Sequence, residues 1–311
     1  MTTPEPRASL RIVPAAPMGA ARSHFGAAVH GGRVYVFGGG GADFKSLSSV
    51  EAYDPAADRW EPRAPMPAPR SGIAAAAVDG RIYVMGGGFR KPDGSFDFKS
   101  VVEVYDPQGD RWEAAAPLLH RHDAPAALAL DGEVLLFGGH HPDASGGPLT
   151  DPAFDVCEAL GPGGGAWREI APLPTPRFSL ACVAMPDGVW AMGGGAFREG
   201  AFQNLDVIEV YDPLGGVWGL APTRLPWPGA GLYAARHGEA VYVAGGNDGE
   251  RISDRVARYD PAANAWAELS PLPEGRVMGA LVSTGDALCL IGGRGPDGKA
   301  PTAATFRLEP G

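Results

Sequence analysis

Arginine recurs in one sequence setting at Arg22, Arg70, Arg121, Arg177 and Arg276, and Gly229 holds the place in the series between the last two. A planar guanidinium fork binds a carboxylate or phosphate through two parallel hydrogen bonds. Five forks around one mouth would hold an acidic peptide or a small acid. The same repetition also suits arginines that brace neighbouring elements through backbone carbonyls. The residues that follow are more varied: Ser23 and His24, Ser71 and Gly72, His122 and Asp123, Phe178 and Ser179, Val277 and Met278. A second varied set follows paired glycines: Phe89 and Arg90, His140 and His141, Phe197 and Arg198, Asn247 and Asp248, and Arg294.

Five of the seven histidines (His24, His120, His122, His140 and His141) fall in these segments. The cluster suits a general base, or a divalent metal held by His122, His140 and His141. Neighbours in an extended segment point to opposite sides, so His140 and His141 cannot both face inward. Trp227, in LPWPG, is stiffened by a proline on each side and is expected at the surface, able to stack on a ligand such as a sugar ring. Phe89 with Arg90 and Phe197 with Arg198 combine the residue types enriched where partners bind.

The elements that position these residues form a repeat. Four or five apolar residues followed by paired glycines occur six times: VYVFGG, IYVMGG, VLLFGG, VWAMGG, VYVAGG and LCLIGG, beginning at Val34, Ile82, Val134, Val189, Val241 and Leu288. Four of these are followed by a second motif: YDPAADRW, YDPQGDRW, YDPLGGVW and YDPAANAW, starting at Tyr53, Tyr105, Tyr211 and Tyr259. The third copy keeps only Trp167. Each apolar run is too short for a helix and rich in β-branched and aromatic residues, so it reads as a buried strand. Asp-Pro opens a turn, and the Trp starts the next strand. With a small-residue strand before each apolar run, one repeat holds four short strands, a to d. Six such sheets around an axis make a propeller.

The double glycine, Tyr-Asp-Pro and Trp at this spacing resemble the Kelch family, over essentially the whole chain from about Leu10 to Pro310. The resemblance implies an all-β, six-bladed propeller as a single domain over 1–311, with approximate blades 19–66, 67–117, 118–173, 174–222, 223–271 and 272–311 plus 10–18. The sixth repeat lacks a closing Trp strand, and aligning AAPM at Ala15 with RAPM at Arg63 puts Ile12 where Trp60 sits. The segment near Leu10–Pro14 is therefore expected to complete the last blade. In this topology the b–c and d–a loops share one face. Similar Kelch domains hold acidic motifs there with arginines. The iron-binding E-x3-D-x3-H run of specifier-type relatives is broken here, since Glu250 and Asp254 are followed by Arg258. Kelch-type sialic-acid epimerases pair arginine with an acidic group, a role open to Glu199, Asp206 or Asp254.

Composition bounds the rest. The chain has 311 residues, with 45% hydrophobic and 20% charged, and its 46 Gly and 31 Pro leave few windows for long helices. A net charge of −10 disfavours nucleic acid and anionic lipid as partners. Cys157, Cys182 and Cys289 show no paired spacing, which fits free thiols. No leader pattern opens the sequence and no apolar stretch is long enough to span a bilayer, so a cytoplasmic protein is expected. The reading that follows is a Kelch-type binding module for an anionic group, peptide or small acid, with no cofactor required. Its alternative is an enzyme acting on a sugar acid or similar anion by epimerisation, mutarotation or elimination, with metal assistance open.

Overall fold

The computed structural model describes residues 10–91, 93–140, 153–198 and 201–310, so that Glu199, His141 and the segment after it lie outside the described residues. Six four-stranded antiparallel sheets form the six blades. Blade 1 runs Gly26–His30, Arg33–Phe37, Val50–Asp54 and Arg59–Arg63, as strands a to d. Blades 2 to 5 repeat that order from Ala74, Ala126, Ala181 and Tyr233. In blade 6, strands a to c are Ala280–Ser283, Leu288–Ile291 and Thr305–Pro310, and Leu10–Ala15 supplies strand d. Leu10 faces Pro310 and Ala15 faces Thr305, so the expected N-terminal closure is present. A closed ring leaves only short edges, those of strands a being sheltered in the channel.

Each repeated residue has a packing role. Tyr53 and Trp60 stack at 5.0 Å between centroids, and Tyr105–Trp112, Tyr211–Trp218 and Tyr259–Trp266 repeat the pair at 5.1–5.2 Å. The Trp60 indole N–H donates to the carbonyl of Ala16 at 2.9 Å, and Trp112 reaches Ala64 in the same way at 3.0 Å. Each such bond ties a strand d to the blade before it. Asp54 accepts the Ala56 and Ala57 N–H groups, closing the Asp-Pro turn. The Tyr53 hydroxyl donates to Asp58 at 2.7 Å. Burial, then the Asp58 contact, pushes the Tyr53 phenol up and keeps it a donor.

The glycine pairs join the blades. The second glycine of each pair donates its N–H to the next blade, as Gly39 does to Arg70 O and Gly293 to Arg22 O, both at 2.9 Å. The first glycine must let that carbonyl approach. Gly38 sits at φ 53°, and a Cβ there would lie 2.6 Å from Arg70 O, so no other residue fits.

A second ring lies nearer the axis. His24 N–H donates to Met278 O, Gly72 to His24, Ala124 to Gly72, Ser179 to Ala124, Gly231 to Ser179 and Met278 to Gly231, at 2.7–3.0 Å. All six residues have φ between 50° and 70°. Each of the four that is not glycine costs about 1 kcal/mol or more in this conformation. The six closed hydrogen bonds hold them there.

Removing the closing strand should open the ring. Deletion of residues 1–15 is expected to lower the melting temperature by at least about 10 °C, several kcal/mol for a chain of this size. Differential scanning calorimetry of the truncated and whole proteins checks this, and an unchanged melting temperature would refute closure by Leu10–Ala15.

Candidate functional site

Each d–a loop contributes three consecutive positions to the mouth. The first sends a side chain back between strands, the second faces the residue after the glycine pair, and the third sits in the inner ring. Arg22, Arg70, Arg177 and Arg276 occupy the first position and are buried. Arg22 donates to Gly38 O and Ser49 O at 2.8 and 2.9 Å and pairs with Glu51 at 2.5 Å. Arg70 donates to Gly86 O at 2.5 Å and pairs with Glu103 at 2.6 Å. Arg177 donates to Gly193 O at 3.0 Å and pairs with Glu209. Arg276 donates to Gly292 O, pairs with Glu274 at 2.9 Å and stacks over Phe306. Burial draws the Arg22 and Arg70 guanidinium groups down and the facing glutamates oppose it. These four arginines brace blades and do not line the mouth, because their buried forks are taken up by carbonyls and a carboxylate, which is buried in blades 1, 2 and 4.

The first position lies sixteen residues before the first glycine, and in five of the six blades its side chain engages that glycine's carbonyl. In blade 3 that residue is His122, with Nδ1 2.6 Å from Gly138 O and Nε2 3.1 Å from Glu158. Arg121 lies one residue outside the series and is exposed. In blade 5 the position is Gly229, and the Trp227 indole N–H fills the vacancy by donating to Gly245 O at 3.0 Å. Trp227 is buried under Arg255, 4.5 Å from its ring, so the expected surface role is corrected to a structural one. In blades 1 to 4 the acid of the brace sits in strand c, in V-E-x-Y-type sequences at Glu51, Glu103 and Glu209 and at Glu158 in CEAL, a signal missed by reading the arginines alone.

The second and third positions build a cup of about 450 Å³ at the channel mouth. Its walls are Phe44, Phe96, Phe98 and Phe178, and its polar groups are His24, Ser71, Asp123, His140 and Ser179. Asp123 and His140 face each other across a β-bridge, and Asp123 Oδ2 lies 3.0 Å from His140 Nδ1. Phe178 stacks on the His140 ring at 3.9 Å and Phe98 lies on it at 6.2 Å. In its neutral form an imidazole fixed this way, with Nδ1–H directed at a carboxylate, presents Nε2 as an acceptor. Ser179 Oγ is buried with no hydrogen-bond partner among the described residues. Below the cup the channel narrows to a neck of about 100 Å³ at the inner ring. It opens again to about 550 Å³ between the alanine-rich a strands.

Arg294 forms part of the rim. It is buried, donates to Ser23 Oγ at 3.0 Å and to Gly298 O at 3.2 Å, and lies 3.9 Å from the centre of the Phe44 ring. Its Nη2 has no hydrogen-bond partner among the described residues. Burial, then Arg294 and His140, lowers the His24 pKa to about 4, so His24 is neutral near pH 7. Phe89 and exposed Arg90 lie outside the cup, in a neighbouring groove with Phe44, Lys45 and Lys91. Phe197 packs edge-on against Phe202 at 5.6 Å, and the Arg198 side chain is outside the described residues. Of the metal set His122, His140 and His141, His141 lies outside the described residues, and His122 is enclosed within blade 3 with both ring nitrogens taken by Gly138 O and Glu158, so it does not serve a metal at the mouth. No group of three or more His, Cys, Asp or Glu suited to a metal occurs among the described residues. Burial pushes the Cys157 and Cys289 thiols up to about 12 and about 11.

This architecture agrees with comparison to known proteins. The Kelch motif model matches residues 21–67, 69–119 and 231–273. Kelch repeat and BTB domain-containing protein 12 of Danio rerio is 27% identical over 231 residues, 69% of this chain and 35% of its own length. Alpha-scruin of Limulus polyphemus is 31% identical over 205 residues, covering 64% of this chain and 22% of that protein. The solved structure of YjhT superposes with a TM-score of 0.77 at 18% identity, covering 96% of this chain and 99% of that one, a likeness of fold. The chain carries Kelch motifs and folds as a six-bladed propeller. It spans about a fifth to a third of the length of these two curated relatives.

Two predictions test the site's physics. Arg70→Met should destabilise the protein by about 3–5 kcal/mol by stranding Glu103, and adding Glu103→Leu should restore most of the loss, as read by urea unfolding. His24 has a folded pKa below its unfolded value of about 6.5. Between pH 6.5 and 4 the unfolded chain therefore takes up a proton that the folded one refuses, and stability falls. His24→Asn, tolerant of positive φ, should flatten that part of the stability–pH curve.

Proposed function

We propose that the chain is a recognition module that takes an anionic group, on an acidic peptide or protein segment or on a small acid, at the mouth formed by the b–c and d–a loops. Kelch propellers are in general protein-interaction modules, and the mouth is where this one places its varied residues. The distribution of unpaired cations carries the reading. The described lysines and arginines with no carboxylate at ion-pair distance are Lys45, Arg90, Lys91, Arg121, Arg294, Lys299 and Arg307. All except Arg307 lie in b–c or d–a loops, on a chain of net charge −10. Arg294 and Phe44 join this cationic rim to the aromatic cup. An apolar body would enter the cup and its anionic end would meet Arg294. The expected cytoplasmic setting belongs to the same proposal, and among the described residues no helix is long and apolar enough to cross a membrane.

The test is a panel of small acids, sugar acids, phosphates, divalent metals and acidic aromatic peptides, read by thermal shift and calorimetry. A ligand at about 100 times its Kd adds roughly 2.7 kcal/mol of stability. Arg294→Gln and the exposed double change Arg90→Glu with Lys91→Glu should each weaken an acidic ligand about tenfold or more. Binding that ignores both, or that is strengthened by added positive charge on the ligand, would overturn anion recognition.

A second reading, an enzyme acting on a small anion, is favoured by the Asp123–His140 pair. A carboxylate-oriented imidazole in an aromatic cup has the form of a general base. If a bound acid is turned over, His140→Asn should abolish turnover while leaving binding within about tenfold, and turnover that survives this change would place the chemistry elsewhere.

A further inference from the structure

The outer edge of blade 4 differs from those of blades 1 to 3. Its strand d, Val217–Leu220, contains no charged residue. Leu214 in the turn before it is 97% exposed, Val217 57% and Leu220 72%. At the place of Val217, blades 1 and 2 carry Arg59 and Arg111. Charged residues on an edge strand prevent pairing with another chain, and blade 4 lacks them.

Gly219 is unusual in having no internal reason to be glycine. Its φ is not positive, and a Cβ there would meet nothing within 4 Å. The residue after the Trp in blades 1, 2 and 3 is Glu61, Glu113 or Arg168. The Ala221 N–H bonds inward to Ile208 O at 3.1 Å. Strand groups alternate, so the N–H and C=O of Trp218 and Leu220 face outward.

We infer that strand d of blade 4 pairs antiparallel with the same strand of a second copy of this chain, about a two-fold axis through Gly219. This register sets Trp218 of one copy against Leu220 of the other, twice, and the outward groups of each pair exchange both hydrogen bonds. Val217 meets Ala221, and Gly219 meets itself with room for close approach. The same pairing at blades 1, 2 or 3 would set Glu61, Glu113 or Arg168 against its own copy, which is repulsive. Blades 5 and 6 each keep a charge in strand d, Glu268 and Arg11, so blade 4 has the one strand d without a charged residue among the described blades.

The test is sedimentation velocity of the whole chain from about 1 to about 200 µM, the range in which a micromolar dimer forms. The expected result is a doubling of mass with concentration. Gly219→Glu, which installs the charge of blades 1 and 2 in open space, should return the monomer with an unchanged melting temperature, and Val217→Arg should act the same way. A wild-type chain that stays monomeric throughout overturns the inference. So does a dimer that persists in Gly219→Glu, because its interface would lie elsewhere.

Discussion

A closed ring of six main-chain hydrogen bonds around the channel neck is the constraint on which the remaining geometry depends. Each blade enters its inner strand through a residue in left-handed conformation, and that residue's N–H and C=O are spent on its two neighbours. Because the ring is made by backbone alone, it sets the position of every d–a loop without dictating side chains. His24, Ala124, Ser179 and Met278 can therefore differ while the loops stay in register. The cup inherits this property: its floor is rigid and its chemistry is variable. This is the arrangement expected where a scaffold carries a site that it does not itself define.

One turn outward, the brace shows how a single structural task is met by different chemistry. The carbonyl of the first glycine needs a donor from sixteen residues upstream. Arginine answers in four blades, with a strand-c glutamate in three of them and Phe306 beside the fourth. In blade 3 histidine answers with Glu158. In blade 5 the acid is absent, since Ala257 stands there, and an indole supplies one neutral donor. In blade 6, where Phe306 stands in the acid's place, Arg276 turns to Glu274 of its own loop, as expected when an unpartnered buried charge costs several kcal/mol. The recurring arginines are thus a property of the ring. The cations available to a ligand are the ones that do not recur.

That distinction marks where the sequence was legible. Six copies of an apolar run with two glycines, and four of Tyr-Asp-Pro, determine the blades, because each carries a backbone requirement that few residues satisfy. Closure by Leu10–Ala15 could be read from the missing Trp in the last repeat. The direction of the arginines could not be read from a loop position, although the glutamate two residues before three of the four Tyr-Asp-Pro tyrosines held the information. In RHD, Arg121 drew attention by residue type while His122 held the structural place. Only the constant offset to Gly138 separates them. Trp227 looked exposed between prolines because its partner is a backbone carbonyl, which leaves no mark in a sequence. Phe96 and Phe98 reach the cup through a b–c hairpin with no counterpart in most blades, so no repeat announced them.

The antiparallel closure of blade 6 has a further consequence for orientation. Leu10 begins strand d and Pro310 ends strand c, and the two are paired neighbours. Both therefore lie at the c–d turn side of the sheet, on the face opposite the cup. Any chain continued from either end departs from that one spot, on the far side of the disc. Anchored through such an extension to a larger assembly or a surface, the propeller would stand like a dish on a stem, its aromatic mouth open to whatever diffuses past.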